Sequence, residues 1–341
     1  MKKYFILIVI LLLTIAVLFW YFGYPHYIHK RFGTTQTKEY SLYRIWQKGK
    51  WGYIDRNGKI VIKPQFDQSG DFKEGLAPIT INNKCGYIDE NGKFAIPPQF
   101  EYAGIFSEGL ALVESGDKYG YIDKSGKFVI KPQFSRAGYF IEGLAPVEID
   151  NKCGYINKRG KVVIKPQFGN ENCSYFSEGL AFIRIGNKYG YIDKSGKFVI
   201  KPKFKNAKYF KDGLAPVEID NKYGFIDKRG QIVIKPQFDD AAWFYGGLAE
   251  IGINHKWGFI NKSGKIVIAP QFDGEGGFSE GLAPVGINGK WGYIDKNGKI
   301  VIKPQFYYSQ SFYEGLGAIT IDKYSGGYID KTGKLVYKYT P

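Results

Sequence analysis

The chain has 341 residues, 44% of them hydrophobic and 17% aromatic, which is enough material to bury a large core. Forty-eight Lys and Arg residues against 32 Asp and Glu give a net charge of +16. That charge bears on partners and solubility, not on fold, and favours an anionic neighbour such as a phosphate-rich polymer or lipid headgroups. The competing interpretation is a lysine-rich surface that is only solvated. Three cysteines are too few for a disulfide framework.

The N-terminus predicts a membrane anchor. After a short flank at residues 1–3, residues 4–23 read "YFILIVILLLTIAVLFWYFG" without a charge, and about 20 apolar residues span a bilayer as a helix. No small-residue cleavage pattern follows, so an uncleaved anchor is preferred over a signal peptide. Flanking charges nearly balance, and long domains translocate largely regardless of charge, so we expect the body outside the cytoplasm with the N-terminus inside. Residues 24–40 are predicted to be a tether.

A repeat dominates the rest of the chain, residues 41–341. The stretch "KNGKIVIKPQF", residues 296–306, has close copies throughout, and the glycine of "WGYID" recurs at intervals of 34 to 36 residues. The recurring glycines are Gly52, Gly86, Gly120, Gly154, Gly190, Gly224, Gly258, Gly292 and Gly327. Self-similarity at such a period is typical of repeat architectures, so the body is predicted to contain nine units.

Each unit predicts three strands. In the sixth, "GLAPVEID" and "YGFID" are separated by a tight turn at Asn221, and a second turn between Asp227 and Gly230 leads to "QIVIKPQF". Asp opens such a turn by bonding its own backbone, and Gly supplies the positive φ that closes it. A proline such as Pro304 cannot donate to a ladder, so it is expected to end the last strand or to lie at a sheet edge.

The predicted fold is all-β. Three short strands with two apolar faces cannot stand alone, so neighbouring units must cover them. No unit is visibly split between the chain ends, and nine three-stranded units fall outside the usual four to eight four-stranded blades of a propeller. We therefore expect an open, curved tandem array of nine units of roughly 34 residues behind one transmembrane helix, with a closed β-propeller as the alternative.

The units resemble the WG repeat family, also called KWG repeats. The resemblance is carried by "KWGYIDKNGKIVIKPQF" at 290–306 and "FSEGLAPV" at 278–285, and it covers roughly residues 42–339. The Trp position departs from the pattern where it holds Tyr, Cys or Gly, as at Tyr119, Cys85 and Gly326. The resemblance implies tandem β-rich repeats in a bacterial protein and no established catalysis.

No residue is predicted to be catalytic, to bind a cofactor or to bind a metal. His255 takes a tight-turn position, and a glutamate that recurs before "GLA", as at Glu108, is expected to bond its loop or a repeated lysine. Cys85 and Cys153 stand where other units have Trp or Tyr, which suits free, half-buried cysteines. A disulfide between Cys153 and Cys173 remains an alternative.

One lysine position is the candidate binding site. Stacked units would align a ladder of lysines that precede the repeated proline, with Pro97 and Ala269 interrupting it. The ladder is Lys63, Lys131, Lys165, Lys201, Lys235 and Lys303. Such a row could bind an anionic polymer, and the alternative is that edge lysines only block sheet-to-sheet aggregation.

These observations predict a non-catalytic, membrane-anchored binding or scaffold protein of the cell envelope, whose repeat surface contacts an anionic polymer or protein. The alternative is a polysaccharide-binding module in which exposed Tyr and Trp rings stack on sugars. Exposed rings would favour sugar, and buried rings with exposed lysines would favour an anionic partner. An enzyme is the least favoured class, and no recognition module for nucleic acid is visible.

Overall fold

The structure is a computed structural model that describes residues 42–169 and 173–339. Within these ranges the chain forms nine successive antiparallel sheets, seven of four strands and two of three, and each sheet is one blade. In a four-stranded blade the chain runs from a short inner strand through a second and a third strand to the outer strand. Blades 1 and 5 have no inner strand among the described residues.

The strands of blades 1 to 4 are β1 (Tyr43–Gln47), β2 (Lys50–Ile54) and β3 (Ile60–Phe66); β4 (Gln68–Ser69), β5 (Ala77–Ile81), β6 (Lys84–Ile88) and β7 (Phe94–Phe100); β8 (Tyr102–Ser107), β9 (Leu110–Glu114), β10 (Tyr119–Ile122) and β11 (Phe128–Phe134); β12 (Arg136–Ala137), β13 (Leu144–Ile149), β14 (Lys152–Asn157) and β15 (Val162–Gly169). Those of blades 5 to 7 are β16 (Ala181–Ile185), β17 (Lys188–Ile192) and β18 (Phe198–Phe204); β19 (Asn206–Ala207), β20 (Ala215–Ile219), β21 (Lys222–Ile226) and β22 (Ile232–Phe238); β23 (Asp240–Ala241), β24 (Leu248–Ile253), β25 (Lys256–Asn261) and β26 (Ile266–Phe272). Blades 8 and 9 contain β27 (Gly274–Glu275), β28 (Ala283–Ile287), β29 (Lys290–Ile294) and β30 (Ile300–Phe306); β31 (Tyr308–Ser309), β32 (Gly317–Thr320), β33 (Gly326–Ile329) and β34 (Leu335–Tyr339).

Turn chemistry explains the hairpins. The turn between β2 and the outer strand β3 of blade 1 is an example. Asp55 Oδ1 accepts the backbone N–H groups of Asn57 and Lys59 at 2.9 Å each, and Gly58 has φ of 82°. A left-handed φ of this kind is readily adopted by glycine. The prediction that Asp opens this turn and Gly closes it is confirmed.

The glycine of the "WG" pair is required by a bulge in the outer strand. The register between β2 and β3 shifts on both sides of Tyr53. A Cβ on Gly52 would lie 2.5 Å from the carbonyl oxygen of Ile62 and 2.6 Å from the nitrogen of Pro64. Because the neighbouring strand passes so close, only glycine fits, which accounts for the most regular residue of the repeat.

The core lies between the blades. Each "YID" tyrosine packs against an aromatic ring of the next blade, as Tyr53 does against Phe72 with ring centroids 4.9 Å apart. Its hydroxyl donates to a carbonyl of the next blade, in this case that of Gly70 at 2.7 Å. Tyr53 is 0% exposed. Burial of such a ring against a neighbour makes each blade depend on the one that follows it.

The nine blades form a closed ring, so the expected open array is wrong. Tyr328 of blade 9 packs against Tyr43 of blade 1 with ring centroids 5.4 Å apart, and its hydroxyl donates to the carbonyl of Arg44 at 2.8 Å. Tyr43 in turn donates to the carbonyl of Glu314 at 2.8 Å. The ring closes through the same kind of contact that joins consecutive blades. The ring closes without a blade shared between the two chain ends. Intact first and last units are therefore compatible with a closed ring and were not evidence for an open array.

Two further expectations need correction. The units were predicted to have three strands, but seven blades have a fourth, inner strand made from the connection between units. The repeated proline does not end its strand: Pro64 lies within β3, which runs to Phe66. It is tolerated there because the outer strand is a sheet edge, as the sequence allowed.

The predicted helix at residues 4–23 and the tether at 24–40 lie outside the described residues. Across residues 42–169 and 173–339, no helix is long and apolar enough to cross a membrane.

Candidate binding surface

All six predicted ladder lysines lie on outer strands, one to a blade, and all are exposed. They are Lys63, Lys131, Lys165, Lys201, Lys235 and Lys303, and we call them the rim lysines. Because the blades are arranged in a ring, these lysines follow its circumference instead of a straight stack. Pro97 of blade 2 and Ala269 of blade 7 interrupt the series, as the sequence indicated.

In the part of the chain that the structure describes, the rim lysines have no internal partner. Among the described residues, none of their ammonium groups takes part in a hydrogen bond, an ion pair or a ring contact. Blade 9 adds a seventh lysine at the same position, Lys338, which sequence reasoning missed because the last strand reads "LVYKY". Lys338 is exposed and contributes to the lowered pKa of Asp322, after the hydrogen bonds that Ser325 and Tyr324 donate to that carboxylate.

Apolar side chains surround the rim lysines. Ile60 and Val61 are 39% and 44% exposed, although both are β-branched residues of a regular strand. Together with Lys48, Lys50 and Lys63 they line a groove of about 500 Å³ on blade 1. Lys50, which begins β2, and the rim lysine Lys63 therefore face the same groove.

A glutamate clamp joins blades at one end of the strands. Glu108 accepts the backbone N–H of Gly143 in the next blade at 3.2 and 3.0 Å, and its carboxylate lies 3.2 Å from Lys158 Nζ. Lys158 also donates to the carbonyl of Glu108 at 2.8 Å. The same arrangement holds at Glu74, Glu142, Glu178 and Glu280. The predicted pairing of the repeated glutamate with a repeated lysine is confirmed, and its backbone partner lies in the corresponding loop of the next blade.

An aspartate clamp joins blades at the other end of the strands. Asp67 accepts from Lys50 Nζ of blade 1 at 2.5 Å and from the backbone N–H of Asn82 of blade 2 at 2.9 Å. These two bonds, the lysine's being the larger cause, lower the pKa of the Asp67 carboxyl below its ordinary value. Asp239 and Asp273 make the equivalent contacts. Sequence reasoning missed this clamp, because the acid lies in the connection between units and is not present in every copy.

The aromatic residues of the repeat are mostly interior. Tyr53, Tyr87, Tyr121, Tyr155, Tyr191 and Tyr293 are among the largest fully buried side chains. Trp291 is half-buried and packs on Tyr308 with ring centroids 5.0 Å apart. Exposed rings are also present, at Tyr307, Tyr308 and Tyr324.

The other candidate side chains have structural positions. Cys153 forms a disulfide with Cys173, so the expectation of a free Cys153 is wrong and the alternative pairing is present. Cys85 is free and half-buried, as expected. His255 is an exposed turn residue with φ of 60°. Within the described part of the chain, no group of three or more His, Cys, Asp or Glu residues could hold a metal ion.

Comparisons with known proteins agree with the repeat. The family model described as WG containing repeat matches eight consecutive segments, residues 51–85, 86–119, 119–153, 154–189, 189–223, 223–257, 257–291 and 291–324. No curated protein matches this sequence. The crystal structure of a eukaryotic initiation factor is similar with a TM-score of 0.64 at 13% identity, covering 89% of this chain and 96% of that one. At this identity the likeness shows a common fold alone.

The crystal structure of BamB from Moraxella catarrhalis matches with a TM-score of 0.44 at 12% identity, covering 79% of this chain and 95% of that one. This similarity is too low to support an argument about either fold or function.

Proposed function

Because this chain belongs to the family of WG containing repeats and its nine blades form a ring, we propose that it is a non-catalytic binding or scaffold protein whose outer rim contacts an anionic polymer. The single observation that carries this proposal is the set of rim lysines. They are exposed, recur at one position of the blade, and have no partner among the described residues.

Edge protection alone would explain a lysine on each outer strand. Two features support binding in addition. Exposed β-branched side chains such as Val61 lie beside the lysines. An outer strand that exposes apolar side chains is less well protected against pairing with another sheet than a strand that exposes charge alone. The neighbouring Lys50, by contrast, forms an ion pair with Asp67 that joins two blades. At this junction the lysine with a structural role therefore has an acidic partner. No acid among the described residues pairs with a rim lysine, so their charge is available to a partner.

The disulfide supports a location for this activity. Disulfides persist in oxidising compartments and are rare in the cytoplasm. Cys153 lies on the third strand of blade 4, and Cys173 is bridged to Ile183 of blade 5, so the bond ties two blades together. We include in the proposal that the ring acts outside the cytoplasm.

The test is a six-site variant in which every rim lysine is changed to Gln. Binding of the full chain to long-chain inorganic polyphosphate is compared with that of the wild type by fluorescence anisotropy at low salt. A neutral dextran of similar length is the second probe. The proposal expects polyphosphate binding by the wild type, its loss in the variant and no dextran binding. If the correctly folded variant binds polyphosphate as tightly as the wild type does, the rim lysines are not the contact. If both proteins bind dextran, the sugar-binding alternative is favoured.

A further inference from the structure

The charge of the ring is concentrated in one sector. Residues 118–205, from the third strand of blade 3 to the linker after blade 5, contain 17 Lys and Arg against 7 Asp and Glu, a net charge of +10. The remainder of residues 42–339 contains 26 Lys and Arg against 24 Asp and Glu, a net charge of +2. The repeat is uniform in pattern, but its electrostatic field is not, and clefts lined by one sign of charge focus the opposite charge.

Within the ranges that the structure describes, the sector coincides with three successive junctions that lack the aspartate clamp. At the position of Asp67, the junctions after blades 3, 4 and 5 have Ser135, Gly169 and Lys205, and the separate junction after blade 8 has Tyr307. Lys205 itself pairs with Glu218 at 3.2 Å.

As a consequence, the lysines that begin the third strands of these blades have no clamp. Lys118, Lys152 and Lys188 are exposed, and among the described residues their ammonium groups have no hydrogen bond or ion pair. In blade 1 the equivalent Lys50 lies 2.5 Å from Asp67. The sector therefore keeps three ammonium groups free that are neutralised at clamped junctions.

The groove of blade 1 shows where these groups face. It is lined by Lys50 and by the rim lysine Lys63. The equivalent residues in the three sector blades are Lys118 with Lys131, Lys152 with Lys165, and Lys188 with Lys201. Each pair occupies the two lysine positions that line the groove of blade 1, and the three pairs belong to neighbouring blades.

From this arrangement we infer that blades 3 to 5 form one continuous site for a single linear polyanion, which pairs with the lysines that no aspartate clamp holds at these junctions. The inference rests on the proposed function and deepens it, because it assigns the contact to one sector and not to the whole rim. A linear chain is favoured over a compact anion because the lysine pairs are distributed over three blades. Lysine, a flexible point charge, suits phosphate groups along such a chain.

The repeat provides a matched pair of variants for the test. The sector variant is Lys131→Glu, Lys165→Glu and Lys201→Glu, and the control variant is Lys63→Glu, Lys235→Glu and Lys303→Glu. Both alter the same position of the outer strand on three blades and change the net charge equally. Thermal melting and circular dichroism establish that both are folded, and the corresponding Gln variants replace either one that is not.

The measurement is the affinity of each full-length variant for long-chain inorganic polyphosphate over a range of salt concentrations. If each sector lysine contacts one phosphate, the slope of log affinity against log salt falls by about three in the sector variant and by about zero in the control. Triphosphate, too short to cross three blades, is expected to bind far more weakly than the long chain. Equal losses in the two variants, or a larger loss in the control, would overturn the sector.

The two levels of the proposal fail differently. If the six-site Gln variant loses binding while the two triple variants lose it equally, the rim contact stands and the sector is wrong. If the six-site variant binds as the wild type does, the proposed function is wrong and the sector with it. Triphosphate binding as tight as that of the long chain would contradict a site that spans three blades.

Discussion

The hydroxyl of Tyr328 donates a hydrogen bond to the carbonyl of Arg44 at 2.8 Å, although 284 residues separate them. The same bond joins consecutive blades, for example from Tyr121 to the carbonyl of Gly138 at 2.7 Å. Blade 9 therefore contacts blade 1 in the same way that each blade contacts the one after it. Removing the hydroxyl of Tyr328 deletes this hydrogen bond and leaves the packing of its aromatic ring in place. The substitution therefore tests the junction between blades 9 and 1 specifically.

We expect Tyr328→Phe to lower the free energy of unfolding by about 1 kcal/mol, the usual net contribution of one intramolecular hydrogen bond. Tyr121→Phe is the matched control at an internal junction, and Phe225 and Phe259 show that the position accepts phenylalanine. Urea denaturation of both variants gives the comparison. Closure would be contradicted if Tyr121→Phe destabilised the protein and Tyr328→Phe had no effect.

The glutamate clamp gives a second prediction. Glu108→Ala removes the acceptor for Gly143 N–H and the partner of Lys158, so we expect a loss of about 1 to 2 kcal/mol, because a backbone donor in a partly buried site is left without its bond. Glu108→Gln keeps one acceptor oxygen and loses only the charge, and we expect a smaller loss. The residue has φ of 55° in either case, so backbone strain is the same in both variants.

Equal losses for the Ala and Gln variants would show that the ion pair with Lys158, and not the bond to Gly143, carries the clamp. The natural comparison is blade 7, where Gly246 stands at the glutamate position and Lys296 donates to its carbonyl at 2.9 Å. The clamp can therefore lose its carboxylate at one junction without loss of the fold.

The aspartate clamp predicts a pH dependence. The pKa of Asp67, Asp239 and Asp273 is lowered, first by the hydrogen bond from a lysine and then by one from a backbone N–H. A lowered folded-state pKa contributes stability that is present above the unfolded pKa of roughly 3.9 and is lost as the pH falls through the folded value. We therefore expect the urea midpoint to decrease as the pH is lowered from 5 towards 2.

The variant that tests this has Asn at all three aspartate positions, and its midpoint should depend less on pH over that interval. Part of the dependence will remain, because hydroxyl groups also lower the pKa of Asp123, Asp193 and Asp330. An unchanged profile in the triple variant would contradict the clamp as a source of acid sensitivity.

Sequence patterns predicted the parts of the fold that are local. The Asp and Gly of each turn were recognisable because both act within five residues, as at Asp55 and Gly58. The inner strands were not, since they are mostly two residues long and form by backbone pairing, as Gln68 does with Thr80. Ring closure was not either, because the contact from Tyr328 to Arg44 has no signature in either segment.

The candidate site was predicted in part for the same reason. The rim lysines repeat at a fixed position, so the sequence located all six. It could not separate the lysines that clamp blades from those that are free, because that depends on an acid from a different unit, such as Asp67 for Lys50. The uneven field of the ring follows from those pairings and not from the repeat itself.

The disulfide gives a fourth prediction. Cys153 and Cys173 are 20 residues apart, and closing a loop of this size stabilises a protein by about 3 kcal/mol in the chain-entropy model. We expect a reducing agent, or Cys173→Ser, to lower the melting temperature of the ring. Cys85→Ser is the control, since Cys85 is free, and its melting temperature should still fall on reduction. A wild-type melting curve that reduction does not alter would contradict a stabilising bond.

The most direct test of the central claim is the salt dependence of polyphosphate binding by the wild-type chain. If exposed lysines on the rim bind an anionic polymer, log affinity decreases linearly with log salt concentration, and the slope reports the number of phosphates contacted. The account predicts binding at low ionic strength, with a slope of several units that the six-site lysine variant reduces. The absence of binding at low salt, or an affinity that does not change with salt, would contradict it.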